Sequence, residues 1–198
     1  MCEVEAMRIL VLPDVHYPAT RLDVLELALS GDYDEVVLLG DAVDERGRLA
    51  DLMGLVGRSA GRVTLVRGDN EERMGIGGLE SYEPRRGLVL VHGHSANLGS
   101  EGFTKLLARV GRRVSRGLVL GFYAARLSRR DALVVAGHAH ALGYSRRFRV
   151  AFAGSLSLPS PSRPFNEVGY AVIDGDEVIL FSGDGRQALA ISIPRPSL

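Results

Sequence analysis

The chain contains five histidines, and all of them stand in short polar clusters: Asp14-Val15-His16, His92-Gly93-His94 and Gly137-His138-Ala139-His140. Two further clusters supply carboxylates, Gly40-Asp41-Ala42-Val43-Asp44 and Gly68-Asp69-Asn70-Glu71. Any one of these histidines alone reads most simply as a capping or hydrogen-bonded residue. Confinement of all five to such clusters points instead to metal chemistry. Imidazole nitrogens with carboxylate oxygens suit Zn, Mn, Fe or Ni. The single cysteine, Cys2, lies far from the clusters in sequence, which argues against a thiolate structural zinc site. In an extended segment residues i and i+2 share a side, so Asp14 with His16, and His138 with His140, can each send two ligands to one centre. The set Asp14, His16, Asp41, Asp69, His92, His138 and His140 exceeds the needs of one ion once solvent is counted, which implies two divalent cations.

Each cluster follows a short apolar run. Arg8–Leu12, Glu35–Leu39, Val63–Val66, Leu88–Val91 and Ala132–Ala136 read as buried strands by length and by the Gly or Pro that bounds them. Arg21–Leu29 and Arg46–Val56 carry apolar residues at helical spacing between the first three strands. Alternating strands and helices predict α/β layering with much parallel pairing, and the carboxyl ends of such strands converge on the binding crevice. Further on, Tyr144–Ala153 and Val168–Ile193 read as consecutive strands. Turns at Asp174-Gly175-Asp176 and Gly183-Asp184-Gly185 predict a second, more antiparallel sheet packed on the first.

A chain of 198 residues that is 46% hydrophobic suits one domain over 1–198 with a sizeable core. No apolar run reaches the roughly 18 residues of a membrane span. The start, Met1-Cys-Glu-Val-Glu-Ala, is short and acidic, unlike the basic-then-apolar pattern of a signal peptide. A cytoplasmic location is the default expectation, with residues 1–6 a dispensable extension ahead of Met7. Net charge is zero but unevenly spread. From Gly99 to Asp131, eight cations (Lys105, Arg109, Arg112, Arg113, Arg116, Arg126, Arg129 and Arg130) face only Glu101 and Asp131, a balance of +6. The remaining 16 cations and 22 anions give −6. Apolar residues through this segment predict one or two helices broken near Gly117 or Gly121. A basic helical insertion over about 99–131 could wall an anionic substrate such as a nucleotide, nucleic acid or lipid headgroup. It could equally be a solvated face or a contact in a homo-oligomer, and it lacks the interleaved aromatics of a single-strand-binding surface.

The order Asp-x-His, Gly-Asp-x-x-Asp, Gly-Asp-Asn, His-Gly-His and Gly-His-x-His resembles the calcineurin-like metallophosphoesterase superfamily, and within it the small bacterial and archaeal phosphodiesterases. Gly154-Ser155-Leu156 resembles the Pro-Gly-Ser segment that follows in those proteins. The resemblance implies a four-layer α/β sandwich of two mixed sheets flanked by helices. It also implies two divalent metals, manganese foremost, at the strand ends. Asp14, His16 and His140 would bind one metal, Asp41 would bridge, and His92 and His138 would bind the second with Asp69 or Asn70. The family has Gly-Asn where this chain has Gly68-Asp69-Asn70. Asp69 directly follows the strand-end glycine and is preferred, with Asn70 the alternative under a one-residue shift. The histidine that follows in larger members is absent. His94 is a candidate substrate contact or a structural residue.

The implied activity is hydrolysis of phosphate esters, foremost phosphodiesters, by a hydroxide bridging two metals, with Asp41, Asp69, Asn70 and His94 as the catalytic candidates. Aryl diesters, whose leaving groups need no acid, should outrun alkyl monoesters. Two rivals stand beside this reading. One is a binding module that keeps the fold without catalysis, like the retromer subunit of the superfamily. The other is a nuclease using the basic insertion, betrayed by steep salt dependence. The sequence has neither a Gly-x-x-x-x-Gly-Lys loop nor a Ser-centred nucleophile elbow, which removes the P-loop and α/β-hydrolase readings.

Overall fold

The computed structural model of the chain describes residues 7–96, 115–161 and 165–194. Three strands, β1 (Arg8–Pro13), β2 (Tyr33–Leu39) and β3 (Ala60–Val66), lie parallel and adjacent, with Val11 opposite Val37 and Val37 opposite Thr64. The runs in β1 and β2 are apolar almost throughout because both faces of these strands are covered. Helices α1 (Leu22–Leu29) and α2 (Leu49–Val56, entered through a 3-10 turn at Arg46–Arg48) cover the outer face. Val24, Leu25 and Ala28 of α1 and Leu52 and Val56 of α2 form their buried stripes. A short helix α3 (Asp69–Met74) follows β3, then β4 (Ser81–Arg85), β5 (Leu88–Val91), helix α4 (Arg116–Leu127), β6 (Leu133–Ala136), β7 (Leu142–Ser145) and β8 (Val150–Ala153). A meander of β9 (Gly169–Asp174), β10 (Glu177–Ser182) and β11 (Gln187–Ser192) ends the described chain.

The strands form two mixed sheets, ordered β11-β10-β9-β1-β2-β3 and β4-β5-β6-β8-β7. Alternate residues of both sheets fill the space between them: Ile9, Val11, Val37 and Leu39 from one, Leu88, Leu90, Leu133 and Val135 from the other. On the far side of the second sheet, Val119, Leu120, Tyr123, Ala124 and Leu127 of α4 pack on Val134, Ala136, Val150 and Phe152. The order helix, sheet, sheet, helix is the four-layer α/β sandwich.

The C-terminal strands depart from the sequence reading. They do not make a separate sheet. Antiparallel pairing of β9 with β1 places Val11 opposite Ala171 and extends the first sheet, while β7 and β8 join the second. Hairpin turns fix local pairing, but the free edge that a meander joins is a tertiary choice. The five cluster-bearing strands therefore belong to two facing sheets rather than one. Helix α4 also runs unbroken through Gly117 and Gly121. Ser115 caps it by accepting from the Leu118 N–H, and its apolar stripe outweighs the roughly 1 kcal/mol that each interior glycine costs. The preceding part of the basic segment, residues 97–114, and Cys2 lie outside the described residues. No helix among the described residues is long and apolar enough to cross a membrane.

A polar clasp ties the sheets together at the end remote from the clusters. Glu35 of β2 is 1% exposed and accepts from Arg62 and Thr64 of β3 and from the Tyr82 hydroxyl of β4 (2.9 Å). Glu35→Ala leaves three donors without their acceptor and should lower unfolding stability by about 2–3 kcal/mol, a figure reduced because Arg62 is largely exposed. The clasp sits about 13 Å along β2 from the site, so the folded variant should keep its divalent-metal affinity. Urea denaturation paired with metal titration checks both halves.

Candidate metal centre

The polar clusters sit where β1, β2, β3, β5 and β6 end, and the backbone there is left-handed. Asp14 (φ 44°), His16 (φ 53°), Asp41 (φ 46°), His138 (φ 57°) and His140 (φ 49°) account for five of the six non-glycine residues at positive φ among the described residues. Each such residue costs about 1 kcal/mol or more. The i and i+2 pairs are thus not extended, and the two histidines of Gly-His-x-His part company. His140 joins Asp14 and His16, while His138 lies 3.5 Å from Asp69 through Nδ1. Glycines let the strand ends close up. A Cβ at Gly40 would stand 2.3 Å from the His92 ring, and one at Gly68 would stand 2.5 Å from the Asp41 nitrogen.

Nitrogens and oxygens face one another across gaps too long for hydrogen bonds. His16 Nε2 is 3.6 Å from Asp41 Oδ2, His92 Nε2 is 3.7 Å from Asp41 Oδ1, and His140 Nε2 is 3.5 Å from Asp14 Oδ1. Asp14 Oδ1, His16 Nε2, His92 Nε2 and His94 Nδ1 are buried without a hydrogen-bond partner among the described residues. With bonds of about 2.1 Å, neighbouring ligand atoms in a tetrahedral shell lie about 3.4 Å apart. The observed gaps fit atoms arranged around a cation. Donor atoms gather in three groups: Asp14, His16 and His140; Asp14, Asp41 and His92; and Asp69, His92 and His94. The two oxygens of Asp41 face opposite ways between them.

The other ring nitrogens are occupied, which directs the free ones inward. His16 Nδ1 is 2.6 Å from Asp44 Oδ1, His92 Nδ1 is 3.1 Å from the Leu39 carbonyl, and His140 Nδ1 is 3.4 Å from Ser157 Oγ. His94 is turned the other way round, with Nε2 3.2 Å from Glu72 and Nδ1 3.8 Å from Asp69. Asn70 does not present a free amide. Its Nδ2 donates to the Val43 carbonyl and to Asp44, and its Oδ1 accepts from Arg73 at 2.7 Å. Its own N–H donates to Asp41 Oδ1.

Several supporting residues were not evident from spacing. Glu71, fully buried, accepts from the N–H groups of Asp41 (2.8 Å), Ala42 (2.9 Å) and Gly68 (2.9 Å), so one carboxylate locks the loops after β2 and β3. The only trace of this in sequence is an acid three residues into a helix start. Ser155 donates to the Asp14 carbonyl and contacts Ser157 at 2.7 Å. Glu167 takes a bidentate pair from Arg116 and an N–H from Leu142, while its own N–H donates to the His140 carbonyl. Arg116 of the basic segment is thereby committed to a structural pair.

The charges respond to this crowding. Burial pushes Asp14 up to about 6, against the pull of His92. Burial also works to raise Asp41, but His92, the Asn70 N–H, His16 and His138 outweigh it and hold Asp41 below the usual range. Burial lowers His92, yet Asp41, Asp14 and Asp69 prevail and raise it. Without a cation the cluster draws positive charge from protons on its own residues.

Phosphoester hydrolases that use divalent metals have a site of this kind, set at strand ends between two sheets. The calcineurin-like phosphoesterase superfamily domain matches residues 7–177, and the chain belongs to that superfamily. Among solved structures it is similar to Vps29 from Entamoeba histolytica, with 19% identity and TM-score 0.54 over 96% of this chain and 100% of that one. A predicted phosphoesterase from Streptococcus pneumoniae is similar at 20% identity and TM-score 0.52, over 97% and 99%. Vps29 from Chaetomium thermophilum is similar at 15% identity and TM-score 0.53, also over 97% and 99%. At these identities the likeness is one of fold. No curated protein matches the sequence.

Two outcomes follow from the geometry. In chelator, the folded state holds the Asp14 proton more tightly than the unfolded chain does, because its pKa is raised from 3.8 to about 6. Stability from this group is therefore full below the unfolded value and falls as pH rises through that window. Asp14→Asn should flatten this part of the pH profile and stabilise the metal-free protein near pH 7, as read by thermal unfolding. Glu71→Gln replaces an acceptor oxygen with a donor that faces backbone N–H groups. Divalent-metal affinity, measured by calorimetry, should drop about 10–100-fold.

Proposed function

We propose that the chain is a divalent-metal-dependent phosphodiesterase. In this assignment Asp14, His16 and His140 hold one cation, Asp69, His92 and His138 hold a second, and Asp41 stands between them. The observation that carries it is the set of buried donor atoms on Asp14, His16, His92 and His94 that lack hydrogen-bond partners among the described residues, in groups linked through Asp14 and His92. Asp69 is preferred over Asn70 because both ends of the Asn70 amide are engaged by protein groups. The donors are all nitrogen and oxygen, which suits Mn, Fe, Zn or Ni, and manganese is the first to test. Bound divalent cations would polarise phosphoryl oxygens and make water nucleophilic at neutral pH.

The chain's own residues do the rest. Asp44, Leu39 and Ser157 hold the histidine rings in orientation, and Glu71 and Asn70 fix Asp41. His94 stands beside Asp69, 3.8 Å away, where it would contact the substrate. The residue two after Asp69 is Glu71, whose carboxylate is fully occupied by backbone N–H groups, so that position offers no acid for an outgoing oxygen. Leaving groups of low basicity should therefore react best, and aryl diesters should outrun alkyl monoesters in a substrate panel.

A binding module on the same fold is the second reading. It is disfavoured by the completeness of the donor set, because a protein without a metal would gain nothing from burying unpartnered atoms. Metal analysis, with hydrolysis of bis(4-nitrophenyl) phosphate in Mn²⁺ and in chelator, separates the two. Asp41→Ala and His138→Ala should each lose bound metal and reduce turnover by more than about 100-fold. A wild-type protein with neither metal nor hydrolysis would decide for the binding module.

A further inference from the structure

Beside His94 the surface opens into a cavity of about 390 Å³ that also takes in Arg67, Glu72, Glu80 and Arg129. A second cavity of about 600 Å³ shares Ser81 and Arg129 with the first and continues to Arg86 and Asp131. Together they form a trench leading from the metal cluster along the β4 and β5 edge of the second sheet. Its mouth is built rather than incidental. Glu72 contacts both His94 (3.2 Å) and Arg67 (3.5 Å), Arg67 reaches Glu80 at 2.9 Å, and the buried Arg67 Nε has no hydrogen-bond partner among the described residues.

The charge along the trench limits what it could hold. Among the described residues three guanidiniums (Arg67, Arg86, Arg129) are set against four carboxylates (Glu72, Glu80, Glu83, Asp131). From these described residues a polynucleotide or a second phosphate gains no net attraction. Neutral hydroxyl groups suit it better, since each can donate to a carboxylate and accept from a guanidinium. Valines at 89 and 91 supply apolar wall for a carbon skeleton. Resting on the phosphodiesterase reading above, we propose that the trench binds one ester arm of the substrate, and that this arm is uncharged and hydroxyl-rich, as a ribose or glycerol unit is.

The test compares uridine 5′-(4-nitrophenyl phosphate) with its 2′,3′-dideoxy analogue, which releases the same aryl group and lacks only the two hydroxyls. With Mn²⁺ the wild type should favour the diol by about tenfold or more in kcat/KM, because unpaired polar groups penalise the analogue. In Arg129→Ala and in Glu80→Gln the ratio between the two esters should fall toward one. Equal handling of both by the wild type overturns the trench proposal while hydrolysis of either leaves the phosphodiesterase reading intact. If neither is hydrolysed, bis(4-nitrophenyl) phosphate judges the phosphodiesterase reading, and equilibrium binding of the same pair to the Mn²⁺-treated protein judges the trench alone: a tenfold preference lost in Arg129→Ala supports it, and equal binding rejects it. A short oligouridylate that binds more tightly than the uridine ester, with steep salt dependence, would also overturn it. Competition by free uridine against free glycerol then distinguishes the two kinds of arm.

Discussion

Carboxylates and imidazoles buried face to face, without protein partners for their inward atoms, are the constraint on which this molecule is built. An unpartnered buried polar atom costs about 1–3 kcal/mol, and Asp14, His16, His92 and His94 each contribute one. A divalent cation is what such groups of donors could hold. Burial raises Asp14, and Asp41, Asp14 and Asp69 raise His92 against burial, so both hold a proton more tightly than usual. The same crowding explains how Asp14 and Asp41 diverge. Asp41 receives an N–H and several imidazoles, whereas burial dominates at Asp14.

Much of the surrounding structure exists to hold that arrangement. Five residues of the cluster sit in left-handed backbone. Left-handed backbone thereby lets His138 and His140 part, where a straight strand would keep residues i and i+2 on one face. Such backbone persists only where its surroundings over-determine it. Here the loops are laced across the sandwich: His138 N–H donates to Asp14, His16 N–H to the Asp41 carbonyl, and Glu71 joins the loops after β2 and β3. Two sheets, not one, supply the donor residues, and the hydrogen bonds between their loops tie the halves of the sandwich together at one end. The Glu35 clasp does the same at the other.

The basic segment takes on a different character in three dimensions. Arg116 is bound to Glu167 and helps hold the loop that carries His140, and Arg126 stacks on Phe122. These cations are engaged with the protein itself. Arg129 instead reaches the trench beside the metal cluster, where carboxylates match the guanidiniums. Among the described residues, cations close in sequence are therefore spent on different surfaces.

Sequence alone determined the superfamily and most of the elements. Apolar runs ending in Gly and a polar cluster mark buried strands. Leu88–Val91 is a strand as read, and β1, β2, β3 and β6 differ from their expected bounds by one to three residues. Pairwise spacing also singled out the donor residues that the structure gathers. Tertiary structure decided which sheet each strand joined, because any free edge can accept a meander and hairpin turns do not choose among them. It decided how the donors divide, sending His138 and His140 to different halves through left-handed backbone that no periodicity reveals. It engaged both ends of the Asn70 amide with Val43, Asp44 and Arg73. Finally, it brought in Glu71 and Glu167, whose roles depend on backbone N–H groups from distant loops, and such contacts leave almost no mark on local sequence.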